Sequence, residues 1–325
     1  MPRSNALWTW LRVLLGLGLL ALLVSRVNPT EYAALVRGGD RGQLALGLAL
    51  LFLAFPVLQA LRLHPLIARY TQSLAATFVV FMVGAFFNTM LPSNVGGDAV
   101  RLLYLKRMRA ENWGGPFAML MLHRAAAMGV LLLAAGVHAA LNAPRLARVL
   151  AAVELDSGFA AQLRPATVIA ALLGLLLLAV VAWVLAGRFR ARIAARVRRF
   201  AADCWAAVRE VGWAAAALLL ALTALFHFTR MLAFYLLIRA TGESIALFDL
   251  LPVLAATALA GVVPLTVGGL GLMEGAISMT LTVFGVAETA AIAAAIANRA
   301  VLLVSAAIGG VVYVASGRVD RSAQP

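Results

Sequence analysis

Charged residues stand where this chain can least accommodate them, inside or at the edges of long apolar runs. Arg124, Arg230 and Arg299 each lie several residues within such a run, Arg101 and Asp98 follow a Gly-Gly break, and Glu274 follows a second glycine-rich break. A charge at bilayer depth costs about 2.5–3.5 kcal/mol on insertion scales, so such residues are expected to pair or to line a wet cavity. Arginine suits phosphate because its planar fork donates two parallel hydrogen bonds and never loses its charge. Several intramembrane arginines with few carboxylates nearby therefore point to an anionic substrate. Internal pairing with Asp98 and Glu274 accounts for two of the arginines at most. Asp98 also reads as a helix cap that stabilises the dipole, with Arg101 three residues on as its partner. Glu274 reads as a first-turn acid or as a proton carrier.

The polar residues nearby have plainer roles open to them. Asn88, Asn94 and Thr266 are placed to satisfy backbone groups freed by Pro and Gly, and His123 and His227 read as packed or hydrogen-bonded rather than metal-ligating. Gly268-Gly269-Leu270-Gly271 lacks the Lys-Ser/Thr ending of a phosphate loop. The chain carries no Ser-His-Asp, paired-carboxylate or zinc-ligand spacing, so neither a catalytic residue nor a metal or other cofactor is expected. The single cysteine, Cys204, excludes an intrachain disulfide.

Two interruptions must position these residues. Leu91-Pro92-Ser93-Asn94-Val95-Gly96-Gly97-Asp98 breaks one apolar run, and the order P-x-[N/T]-V-G-G from Pro92 to Gly97 returns from Pro264 to Gly269. The echo extends to the next run in each case, where His123-Arg124-Ala125 matches Asn298-Arg299-Ala300. After the first break, the return limb Ala99 to Leu105 covers only about a third of a ~30 Å hydrocarbon core. A re-entrant hairpin over about 74–110 is predicted, with a second over about 247–284.

With 64% hydrophobic and 12% charged residues and a mean hydropathy of +0.97, the 325-residue chain is far more apolar than a soluble domain. An all-α polytopic membrane protein is predicted, forming a single integral membrane domain over residues 1–325. About six full spans are expected, near Leu7–Val24, Leu44–Leu61, Phe117–Leu141, Thr167–Leu185, Gly212–Ile238 and Thr289–Val314. The first reads as a retained helix rather than a cleaved signal, with Arg12 snorkelling near one end. Pro144–Asp156 reads as a short amphipathic helix on the outer surface.

The net charge of +14 sits between the apolar runs, where it suits anionic headgroups rather than nucleic acid. Placing the basic loops Arg62–Arg69, Lys106–Arg109, Arg188–Arg209 and Arg318–Arg321 inside closes the parity if the first hairpin returns to its own side. The N- and C-termini are then cytoplasmic, and the chain sits in the cytoplasmic (inner) membrane. Three crossings separate the hairpins, so the second enters from the opposite face, making an inverted-topology pair, the arrangement that marks transporter sites near the midplane.

The residues Phe87-Asn88, Pro92, Gly96-Gly97-Asp98 with Arg101, then Arg124, Pro264, Gly268-Gly269, Gly271, Glu274 and Arg299 resemble the pattern of the lysylphosphatidylglycerol synthase transmembrane-region family, also called flippase-like. The resemblance spans nearly the whole chain and implies a lipid flippase-like membrane region. It departs at His123, where the family often has an acid. The chain ends soon after its last span, so the synthetase that some members carry, and its aminoacyl transfer, are not expected here. The leading expectation is a transporter of an anionic or isoprenoid-linked lipid, with Asn88, Asn94, Asp98, Arg101, Arg124, Arg230, Glu274 and Arg299 lining its site. Pro92, Gly96, Gly97, Pro264, Gly268, Gly269 and Gly271 would shape its backbone. The alternatives are a lipid-modifying transferase using Asp98 or Glu274 as base, and a non-catalytic partner of a lipid-biosynthetic enzyme.

Overall fold

A computed structural model of the chain describes residues 38–90, 96–144, 190–263 and 266–322, with a few isolated positions before residue 38. Most of the expected first span with Arg12, the expected span Thr167–Leu185, nearly all of Pro144–Asp156, and Pro92, Asn94 and Pro264 lie outside the described residues. The described elements are helical throughout. Four helices are long and apolar enough to cross a membrane: α1 (Arg41–Thr71), α4 (Gly114–Leu141), α6 (Trp213–Ala240) and α9 (Glu288–Ser322, apolar through Ser316). Between them stand the shorter α2 (Leu74–Met90), α3 (Gly96–Met108), α5 (Arg190–Arg209), α7 (Leu250–Val262) and α8 (Leu272–Val283).

Local chemistry sets the helix ends. Asp40 opens α1 by accepting from the backbone N–H of Gly42 at 2.8 Å and Gln43 at 3.1 Å, a side-chain cap on otherwise orphaned donors. Pro56 cannot donate to the helical ladder, and α1 absorbs it in a π-helical turn over Leu53–Leu58. The helix then continues to Thr71 and ends at Gln72 with φ 59. This corrects the expectation that Arg62 and Arg69 belong to a loop after a span ending at Leu61. Leu63, Leu66 and Ile67 continue the buried face past Arg62, and Arg62 itself is 0% exposed.

Small residues allow the closest helix crossings. Gly47 of α1 faces Leu237 and the Ala233 carbonyl of α6, and Gly309 and Gly310 of α9 lie against Met82 and Phe86 of α2. In the first hairpin, α2 and α3 run antiparallel: Gly97 sits against the Gly84 carbonyl and Asn88, and Arg101 reaches back to Gly84 and Phe81. The second hairpin is α7 and α8, and α8 leads to α9.

The two hairpins open at opposite ends of the bundle. Arg69 at the end of α1 pairs with Glu210 just before α6, close to Arg109 and Asn112 between α3 and α4. At the other end, the Asp40 N–H donates to the Ala240 carbonyl at 3.0 Å, and His138 near the end of α4 meets Asp249 just before α7 at 3.1 Å. Packing is reciprocal as well: α2 of the first hairpin lies on α9, and α7 of the second lies on α4.

Two apolar clusters fill the ends. Leu51, Phe234, Leu250, Leu254 and Ile277 belong to one, and Leu63, Ile67, Met82, Leu105 and Leu219 to the other. Between them in chain order along α1, α4 and α6 lie Arg62, His123, Arg124, Thr223, His227 and Arg230, so the polar layer sits at mid-height. The outside is apolar instead, with Leu133, Met279 and Val311 well exposed. That inversion of a soluble surface fits a protein whose solvent is hydrocarbon.

Candidate functional site

Asp98 is the third residue of α3 and is buried. Its Oδ1 accepts from Arg101 Nη1 at 2.6 Å, and its Oδ2 faces Arg124 Nε of α4 in an ion pair. Arg101 also donates from Nη2 to the Phe81 carbonyl at 3.1 Å, with its guanidinium carbon 4.6 Å from the Phe81 ring centroid. Asn88 Oδ1 accepts from the Gly97 N–H at 2.8 Å, tying the end of α2 to the start of α3. Gly96 is the first residue of α3. A side chain at Gly97 would collide with the Gly84 carbonyl, which explains a glycine there.

The second hairpin repeats this construction. Glu274 is the third residue of α8, is 0% exposed, and accepts from the Gly271 N–H at 2.7 Å and from Arg299 Nε at 2.5 Å. Arg299 spends its other end on the turn, donating from Nη1 to the Gly268 carbonyl at 3.0 Å and from Nη2 to the Gly269 carbonyl at 3.1 Å. Gly268, Gly269 and Gly271 have φ of 59, 69 and 77, a left-handed run open to glycine that aims those carbonyls at the guanidinium. In each half, an arginine of the following long helix grips the first-turn acid of its hairpin's second limb. The two breaks also meet, for Gly268 lies against the backbone of Asn88 and Thr89.

Asp98 therefore answers its helix neighbour Arg101 and also Arg124, and Glu274 answers Arg299, so of Arg124, Arg230 and Arg299 the two acids absorb two, the most that was expected. They are not equally committed. The side chains of Arg101 and Arg299 are 8% and 9% exposed, whereas that of Arg124 is 36% exposed while still paired with Asp98.

Arg230 lies elsewhere, on α6, with Phe55 and Phe226 ring centroids 5.2 and 5.6 Å from its guanidinium carbon. Its companion, which sequence reasoning missed, is Arg62. Arg62 donates to Thr223 Oγ1 at 3.0 Å, Gln59 Oε1 at 2.6 Å and the His123 carbonyl at 3.3 Å. The signal was the apolar spacing of Leu63, Leu66 and Ile67 beyond it. His123 and His227 are buried, and His227 Nε2 lies 2.9 Å from the Ala127 carbonyl. Among the described residues, no three His, Cys, Asp or Glu side chains are grouped as a metal site would require.

Four long apolar helices, two broken hairpins joined at their breaks and a buried layer of ion pairs define a polytopic α-helical membrane protein. The chain matches the lysylphosphatidylglycerol synthase TM region over residues 9–310 and belongs to that family. No curated protein and no solved structure matches it.

Proposed function

We propose that the protein is a lipid transporter that moves an anionic lipid headgroup between leaflets without changing it chemically. The observation that carries this reading is Arg124, a mid-bundle arginine held by Asp98 on one side and 36% exposed. A headgroup phosphate that reaches Arg124 can compete with Asp98 for it, so binding and release need only an exchange of partners within one buried network. Arg101 holds Asp98 in place during that exchange, while Arg299 and Glu274 brace the opposing turn.

On this reading the two hairpins are re-entrant and form an inverted repeat within about six full crossings, in keeping with their opening at opposite ends of the bundle. The end carrying Arg69, Lys106, Arg107, Arg109 and α5 faces the cytoplasm of an inner membrane, as do both termini, by the excess of basic residues there. Its ligands are membrane lipids, preferably anionic.

The test is lipid scrambling by purified protein in liposomes, with reporter lipids of anionic, zwitterionic and cationic headgroups. Selective movement of the anionic reporter is expected, falling at least tenfold in Arg124→Gln and Asp98→Asn with folded protein retained. Unchanged rates in both variants would remove the proposal.

A further inference from the structure

In the mid-bundle polar layer, the buried charges of the described residues do not balance. Asp98 answers Arg101 and Arg124, and Glu274 answers Arg299. Among the described residues, no carboxylate pairs with Arg62 or Arg230. Arg62, 0% exposed, is held by three neutral acceptors: Thr223, Gln59 and the His123 carbonyl. Arg230, 6% exposed, meets no hydrogen-bond acceptor among the described residues, and its Nε is enclosed without a partner. Its contacts are the faces of Phe55 and Phe226, and Arg62 lies 4.8 Å from the centroid of that same Phe226 ring.

Neutral acceptors and ring faces orient a guanidinium and offset part of its desolvation, but they leave its charge in place. Two such cations on one ring also repel each other. A buried charge persists when something compensates it, and here the described residues supply nothing of opposite sign. We propose that Arg62 and Arg230 form a second anion seat, between α1 and α6, for a phosphate-class oxyanion.

The class follows from the donors. Arg62 is locked in orientation by its three bonds, and Arg230 offers a fork that no described residue engages, which matches two oxygens of a tetrahedral oxyanion. Chloride balances the charge but offers a single acceptor atom to a fork that donates two parallel bonds. The same chemistry is carried by a lipid phosphodiester and by free inorganic phosphate. Thr223 and the His123 carbonyl hold Arg62 from α6 and α4, so the seat is built across three helices rather than on one exposed end. It is separate from Asp98, and its existence does not depend on transport.

The test uses the purified full chain in an uncharged detergent. Bound phosphorus and Tm are measured for wild type, Arg230→Gln and Arg230→Lys, in chloride alone, with inorganic phosphate, and with short-chain phosphatidylglycerol at matched ionic strength. Wild type should carry about one more phosphorus per chain than Arg230→Gln, either as purified or after one probe is added. Where a probe fills the seat, Tm should rise by about 3 °C, with no such rise in Arg230→Gln. Once bound lipid is removed, Arg230→Gln in chloride should melt no lower than wild type, because it loses an unpaired buried charge. Arg230→Lys keeps the charge without the fork and should bind more weakly. Phosphorus gained from both probes assigns a seat for free phosphate, and from the lipid alone, a headgroup seat. Equal phosphorus in wild type and Arg230→Gln, with equal Tm responses, would overturn the seat. Anionic-lipid flipping that survives such a failure would leave the transporter reading standing.

Discussion

Glu274 and Arg299 show how far one residue pair can determine a local backbone. Arg299 holds the carboxylate and two turn carbonyls at once, so loss of either partner strands a buried charge. Breaking a buried pair typically costs about 3–5 kcal/mol, whereas replacing both partners with apolar residues of similar volume is often far cheaper. Glu274→Ala should therefore lower stability by about 3 kcal/mol or more, and Glu274→Leu combined with Arg299→Met should recover a substantial part, as read by thermal unfolding in detergent. A double variant as unstable as the single one would show that the turn, not the charge, is what Arg299 supports. Arg124→Gln should cost clearly less than Arg299→Gln in the same assay, since a 36% exposed side chain keeps some of its hydration. Both acids are legible in the sequence as first-turn residues. That Asp98 serves two arginines is not, because Arg124 reaches it from another helix.

The hairpins owe their closeness to glycine. A Cβ at Gly97 would strike the Gly84 carbonyl, and one at Gly309 would strike the Met82 carbonyl, whereas Gly129 on α4 faces open space. Overpacking of this kind costs about 1–3 kcal/mol, so Gly97→Ala and Gly309→Ala should each lower Tm. Gly129→Ala should be neutral or slightly stabilising, because alanine restricts the unfolded chain without meeting a neighbour. A drop in Tm for Gly129→Ala as large as for Gly97→Ala would contradict the packing described. The same elements show where sequence reading stopped short. A hydropathy window ends α1 near Leu61 because Arg62 and His64 lower the average. The helix runs on because its buried face continues, with Pro56 absorbed by one π turn.

Across the whole molecule, the opening of the hairpins at opposite ends makes orientation a single measurable choice. Cys204 on α5 reports it: the thiol is partly buried and donates to the Gly114 carbonyl at 3.3 Å, at the end that carries Arg69 and Glu210. On the proposed orientation an impermeant maleimide should label Cys204 in inverted vesicles and not in right-side-out ones. Burial, with Asp203 as a smaller contribution, pushes the thiol above its ordinary pKa. Less thiolate is then present near neutrality, so alkylation should be slower than in the unfolded chain and should keep accelerating at pH values where an ordinary cysteine has levelled off. The sequence by itself determined the helical membrane class, the two breaks and the charged residues beside them. Runs of apolar residues, Pro-Gly interruptions and costly charges are local facts that any fold must accommodate. Only the tertiary structure decided which charges cancel. Pairing is set by how separate helices pack: each long helix turns its arginine onto the acid of the limb before it, Arg124 to Asp98 and Arg299 to Glu274, and α1 and α6, far apart in the chain, place Arg62 and Arg230 about one phenyl ring with no acid among the described residues paired to either.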